Sequence, residues 1–385
     1  MKTIYILSGT AFTYMDNHLA LDDKNAQQLE ILFKEELKEK RLENQYQVKL
    51  LLLDIADCDN SSMTEEKISH YLDQLVAQND TKAIILNSTT DNNFIGKIRK
   101  VRKDIFTVGF KTTINQIAEI QYMQSLELLK KNSLNLVIAS DIITNNSMII
   151  APEETKYAQA TDILQTLDYL VKMTVSRMQN HFTRSTVIEG QAVDWNSILV
   201  PENLRTVVNH CIEQGAYKPF LGKTAGHFAV KVNAGEILTS IRKTNFNDLE
   251  KVGLVKVESK NDTEVIAHGF RPSVGGQSQR IIFNDHPDLD CIVHFHCPVK
   301  EDFRDTVVPV KDQWPNECGS HECGKNTSNG LKEVDIGDGD RLKVVYLDDH
   351  GPNIVFNRNT PANKVISFIN QHFDLSHKTG GLVQH

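Results

Sequence analysis

The chain has no long apolar run, no surplus of positive charge and no dense set of cysteines, and each lack removes a class of protein. Without a stretch of about twenty apolar residues it offers no membrane-spanning helix. Met1 to Ser8 reads as a first strand rather than a charged-then-apolar leader. A formal charge of -8 gives nucleic acid no electrostatic reason to be the main partner. The densest basic run, Lys97, Arg99, Lys100, Arg102 and Lys103, reads as a solvated helix face. Six cysteines in 385 residues make no disulfide framework, so a reducing cytoplasmic setting is expected. Internal repeats, low-complexity tracts and a three-glycine phosphate fingerprint are also missing; Ser8-Gly9-Thr10 carries a single glycine after the first strand.

What is present suits a soluble globular protein, with 40% hydrophobic and 24% charged residues. At about 150 residues per domain the length predicts two domains, placed at 1–192 and 193–385. The first half alternates strand and helix signals. Ile4 to Ser8, Gln47 to Leu53, Lys82 to Leu86, Ile105 to Phe110 and Leu134 to Ala139 read as strands. Amphipathic helices are expected over Ala26 to Lys40, Glu65 to Ala77, Phe94 to Arg102 and Ile114 to Lys131. That order builds a doubly wound, Rossmann-like parallel sheet with its ligand crevice beyond the strands' carboxyl ends. A closing helix is expected from Tyr157 to Phe182, then a polar linker from Thr183 to Asn196. The second half mixes short strands and single helices and reads as α+β with a mainly antiparallel sheet.

Metal-competent side chains crowd the second half. His294-Phe295-His296 lies in an apolar run from Cys291, and side chains two apart on a strand share a face. Two imidazoles can thus meet one ion, and His350 is a credible third ligand. Three histidines plus water describe an open zinc site. Equally, His294 and His296 can be unrelated residues at a sheet rim, one buried and hydrogen-bonded, the other solvated.

An ordered series of motifs resembles the class II aldolase and adducin head family over about residues 203–374. Gly226-His227-Phe228-Ala229 matches its Gly-Asn-Ile-Ser segment, the region Thr239 to Lys243 its Ile-Thr-Pro-Ser-Gly turn, and Pro272-Ser273-Val274-Gly275 its Pro-Ser-Ser-Glu. Val293-His294-Phe295-His296-Cys297-Pro298 matches its His-Thr-His-Ser-Pro, and Asp349-His350-Gly351 its later His-Gly. The resemblance implies an αβα fold, zinc held by His294, His296 and His350, and lyase or epimerase chemistry on a small anionic, sugar-phosphate-like substrate. It also implies a homo-oligomer, and an anion site aligned with His227, Arg242, Lys243 and Ser273. Gly275 departs from the pattern, standing where the aldolases carry a carboxylate, and a glycine cannot abstract a proton. The replacement is sought in Glu317-Cys318-Gly319-Ser320-His321-Glu322-Cys323-Gly324, with Glu322 or His321 moving the proton and Glu317 as substitute. The same segment also reads as a second, structural metal site, or as a turn with buried thiols.

Residues 1–185 resemble phosphopantothenoylcysteine synthetase. Val108-Gly109-Phe110-Lys111-Thr112 is similar to its Gly-Phe-Lys-x-Glu turn and Leu136 to Asp141 to its Val-Ala-Asn-Asp strand end, while Ser88-Thr89-Thr90-Asp91 falls where its Ala-Ala-Val-x-Asp lies. A nucleotide contacted by Gly9, Phe110, Lys111 and Asp141 is what this resemblance implies. Two further functions are therefore carried: a nucleotide-dependent acid–amine ligase, and a non-catalytic, adducin-head-like binding or scaffold protein.

Overall fold

The computed structural model describes residues 1–8, 11–14, 17–20, 24–52, 61–86, 95–273 and 276–379, with backbone alone at 11–14, 17–20, 61–68, 95, 97 and 277. Two compact units divide it: 1–152 with 156–179, and 153–155 with 180–385. No helix among the described residues is long and apolar enough to cross a membrane.

The first unit is built on a seven-stranded sheet in the order Tyr46–Leu52, Lys2–Ser8, Thr81–Leu86, Phe106–Thr113, Leu136–Asp141, Ser147–Ile150, Lys156–Ala160. The first five are parallel and the last two antiparallel. All five expected strands form. Ile84, Ile85 and Leu86, like Leu136 to Ala139, are buried in succession rather than alternately, because both faces of a parallel sheet are covered. Helix Lys24–Glu39 turns Ala26, Leu29, Phe33 and Leu37 inward at helical spacing, and Ile163–Arg177 does the same with Leu167, Leu170 and Val171. The expected closing helix thus starts later than Tyr157, since Lys156–Ala160 is taken as an edge strand. The chain reverses its strand order between Lys2–Ser8 and Thr81–Leu86, where a ligand crevice is expected. Gly9, Thr10 and residues 88–91, which the nucleotide reading needs there, lie outside the described residues.

The second unit carries a ten-stranded, mainly antiparallel sheet. Its main path runs Arg184–Ile188, Glu264–His268, Leu254–Asn261, Glu236–Ser240, His227–Asn233, Cys291–His294, Gly351–Phe356, Arg341–Leu347, Val310–Lys311, and Lys332–Asp335 pairs with Arg341–Leu347. Arg184–Ile188 corrects the expected linker: it pairs in parallel with Glu264–His268 as an edge strand, so the unit boundary falls at 179–180, ahead of 192. Period-two alternation splits the sheet into two faces. Phe228, Val230, Val293, Ile354 and Phe356 belong to one core, over which Glu202–Glu213 and Ala362–His372 pack Leu204, Val207, Val208, Val365, Phe368 and Ile369. Ala229, Ile292 and Val355 face the other core with Ile282 and Phe283 of helix Gly276–Asp285. Each such side chain contributes about 1.5–3 kcal/mol on burial, and that stabilisation fixes the register.

Candidate metal centre

Register brings the site together at one end of the second sheet. His227 stands opposite His294, His294 opposite Asn353, and Leu347 opposite Gly351. Counting by twos, His227, His294 and Asn353 project from the Ala229–Ile292–Val355 face. Cys291–His294 ends as regular strand at His294, and Phe295 and His296 continue past it; His350 precedes the neighbouring strand. The sheet end is drawn tight at Gly351, whose φ of 144° and missing side chain let it pass the Phe295 carbonyl.

The ligand nitrogens of His294, His296 and His350 lie within 4.8 Å of one another, and all three residues are buried. His294 Nε2 is 3.2 Å from His350 Nε2. Two nitrogens ~2.05 Å from one tetrahedral ion stand about 3.3 Å apart, so this spacing fits shared coordination. An imidazole–imidazole hydrogen bond would span the same gap. What it leaves unexplained is the third ring, 5.0 Å from that of His294 and 4.7 Å from that of His350. His294 Nδ1 donates to the Pro352 carbonyl at 2.7 Å, which leaves its Nε2 as the lone-pair atom facing His350. Burial pushes His294 down to about 4, against the opposing pull of the Pro352 carbonyl. At pH 7 roughly one part in a thousand is then charged, so the ring is in its ligand form.

His227 lies beside this trio, its ring 4.7 Å from that of His294. Burial holds it well below the usual histidine range, and the neighbouring His294 adds to the effect. Gln279 Nε2 donates to its Nδ1 at 2.7 Å, which places the remaining ring proton on Nε2. Neutral His227 is thus a hydrogen-bond donor. Arg242 and Lys243 follow strand Glu236–Ser240 at the same sheet end and are exposed. Ser273 N–H donates to the Ser240 carbonyl, and the hydroxyl oxygens of both serines are buried without a hydrogen-bond partner among the described residues. Gly275 lies outside the described residues.

The proposed proton-moving segment is at the site, but other members of it face inward. A cavity of about 10 Å³, room for about one small ion or water, is lined by His294, His350, His227, Cys318 and Cys323 among others. Glu322 and His321 do not line it. Glu322 instead accepts from His181, at 2.7 Å from Nδ1 and 2.9 Å from the backbone N–H. Burial raises its carboxyl, the His181 hydrogen bonds outweigh that, and it rests below the usual range, a poorer base. Glu317 is buried, with its N–H donating to Asn180. Residues His321–Gly330 form a helix rather than a glycine-bearing loop, because the Ser320 hydroxyl caps the Cys323 N–H. Its contact with Gly276–Asp285 depends on Gly324, since a β-carbon there would press on Ser278 Cα. Asn353 was missed as a wall residue, although its two-residue offset from Val355 signals its face; the two thiols line the wall within a segment that the sequence nominates for its Glu and His residues.

In the first unit Phe110 is buried and Lys111 half-buried on Phe106–Thr113. Asp141 is committed to the fold. Its carboxylate accepts from Thr113 Oγ1, the Asn115 and Gln116 N–H groups, the Ile143 and Thr144 N–H groups and Thr144 Oγ1. These hydrogen bonds make Asp141 a brace between two turns.

No protein-family model matches the chain, and no curated protein matches it by sequence. Among solved structures, the DNA/pantothenate metabolism flavoprotein from Streptococcus pneumoniae is 14% identical, over 43% of this chain and 94% of that one, with a TM-score of 0.29. The aldolase/epimerase/decarboxylase candidate YgbL from Escherichia coli is 17% identical, over 44% and 84%, with a TM-score of 0.32. L-fuculose 1-phosphate aldolase is 13% identical, over 44% and 85%, with a TM-score of 0.31. Likeness at this level leaves the chemistry to be read from the site's own residues.

Proposed function

We propose that the second unit binds a divalent cation, zinc by its donor set, and acts as a class II aldolase-like lyase or epimerase on a small anionic oxygenated substrate of the sugar-phosphate kind. The observation that carries this reading is the convergence of three buried imidazoles, with ligand nitrogens within 4.8 Å of one another. His294, His296 and His350 would hold the ion. When bound, it supplies a Lewis acid that polarises a substrate oxygen. Neutral His227 would donate a hydrogen bond to the same end of the substrate. Arg242 and Lys243 supply positive charge at the sheet end, and the hydroxyls of Ser240 and Ser273 offer donors for an anion. A homo-oligomer belongs to the same proposal. Metal analysis of the purified full chain tests it: about one ion per chain is expected in wild type, and loss in His294→Ala and His350→Ala. Wild type that carries no stoichiometric metal, even after zinc addition, removes the reading.

A second reading, a non-catalytic binding protein, is favoured by the size of the cavity. Its 10 Å³ is far below the roughly 300 Å³ or more of ordinary ligand pockets. Zinc-loaded protein that turns over no member of a sugar-phosphate panel would favour it. The ligase reading is not carried forward, because Asp141 is already saturated within its own unit.

A further inference from the structure

Three imidazoles leave a tetrahedral ion one further position, and two thiol-bearing residues border the small cavity beside His294 and His350. Cys318 and Cys323 line the same cavity as His294 and His350. Cys323 is held in place on the helix: its N–H donates to Ser320, and Gln313 Nε2 donates to its sulfur at 3.5 Å. Cys318 sits on the preceding turn and is half-buried, where Gly319, at φ 82°, lets the chain reverse into the helix. Cys318 thus borders a space of about 10 Å³ that His294 and His350 also line. Resting on the metal reading above, we propose that Cys318 supplies a thiolate as fourth ligand, making a His3Cys centre in which sulfur occupies the position otherwise left to water.

The chemistry favours this pairing. Thiolate is a soft ligand that zinc and cobalt accept readily beside imidazole. The thiol proton leaves to solvent as the sulfur–metal bond forms, one proton per ion bound. In the structure only the three imidazoles form the close set, so loading draws the sulfur inward from the cavity wall.

The test is cobalt(II) titration of the metal-stripped full chain, followed by absorption spectroscopy. Expected is a near-ultraviolet sulfur-to-cobalt charge-transfer band, absent in Cys318→Ser and retained in Cys323→Ser. Cobalt bound with its visible ligand-field bands but without the sulfur band overturns this inference and leaves the three-histidine site standing. A band lost in Cys323→Ser and kept in Cys318→Ser also overturns it, and no cobalt binding removes both readings. Should Cys318→Ser fail to fold, alkylation of wild type is read by peptide mass. Metal should slow modification of Cys318 at least ~10-fold, and unchanged rates overturn the inference.

Discussion

At Gly351 a β-carbon would collide with the Phe295 carbonyl, and the residue directly follows His350 as the first of the strand that pairs with Cys291–His294. Gly351→Ala must therefore push His350 away from the other two imidazoles. The expected outcome is a loss of ~2 kcal/mol of stability, with metal affinity down at least tenfold, read by thermal melting and zinc titration. Asp141 shows the opposite case, a polar residue whose role is structural. Burial opposes its charge, but the hydrogen bonds from Gln116, Thr144 and Thr113 outweigh burial and hold the carboxyl well below its usual range. Its folded pKa lies below its unfolded value of about 3.9, so this stabilisation is complete above that value and is lost as pH falls towards the folded one. Asp141→Asn should cost ~3 kcal/mol at neutral pH, and its stability should respond less to acid below about pH 4 than that of wild type. Equal slopes in acid denaturation would contradict the assignment.

Helix His321–Gly330 and the segment 374–379 hold the site from two sides. Glycine to alanine in a helix ordinarily adds about 1 kcal/mol of stability. At Gly324 the new methyl would meet Ser278 Cα at 2.9 Å and Ile281 Cδ1 at 2.8 Å, so Gly324→Ala is expected to destabilise by ~1–3 kcal/mol. A stabilised variant in urea unfolding would show that the helices part freely. After the last helix, Thr379 donates its N–H to the His296 carbonyl and its hydroxyl to the His350 carbonyl. Lys378 anchors this stretch with a buried ion pair to Glu154 at 3.0 Å, both side chains under 5% exposed, and a bond to the Lys218 carbonyl. Lys378→Ala leaves a buried carboxylate without its cation and should cost ~3–5 kcal/mol, while Lys378→Ala/Glu154→Gln recovers part of it in a double-mutant cycle.

For the molecule as a whole, an ion bound only by folded protein adds stability by mass action, about 4 kcal/mol at a thousand times its dissociation constant. Chelation of the zinc-loaded chain should therefore lower the melting temperature, and His294→Ala should be insensitive to the chelator. Scanning calorimetry with and without chelator reads both. Much of this organisation was legible beforehand. The strand signals from Ile4, Lys82 and Leu134, alternating with helix signals, dictate a parallel sheet, and their burial on both faces agrees with it. The two-residue spacing of His294 and His296 and the Val-Tyr-Leu run before His350, together with the family resemblance, nominate the three histidines that the structure brings within 4.8 Å. Arg184–Ile188 was not legible as a strand, since an edge strand with one solvated face carries a weak apolar pattern. Glu322 was misplaced for a related reason: sequence names the segment that approaches a site, but which side of a helix faces inward depends on its N-cap and on the helix beside it. The sequence alone thus determined most element types of the first unit, which follow from local periodicity, and named the three histidines that the fold brings together. Tertiary packing decided that Cys318 and Cys323, rather than Glu322, line the cavity beside His294 and His350, because that outcome depends on long-range register and helix rotation.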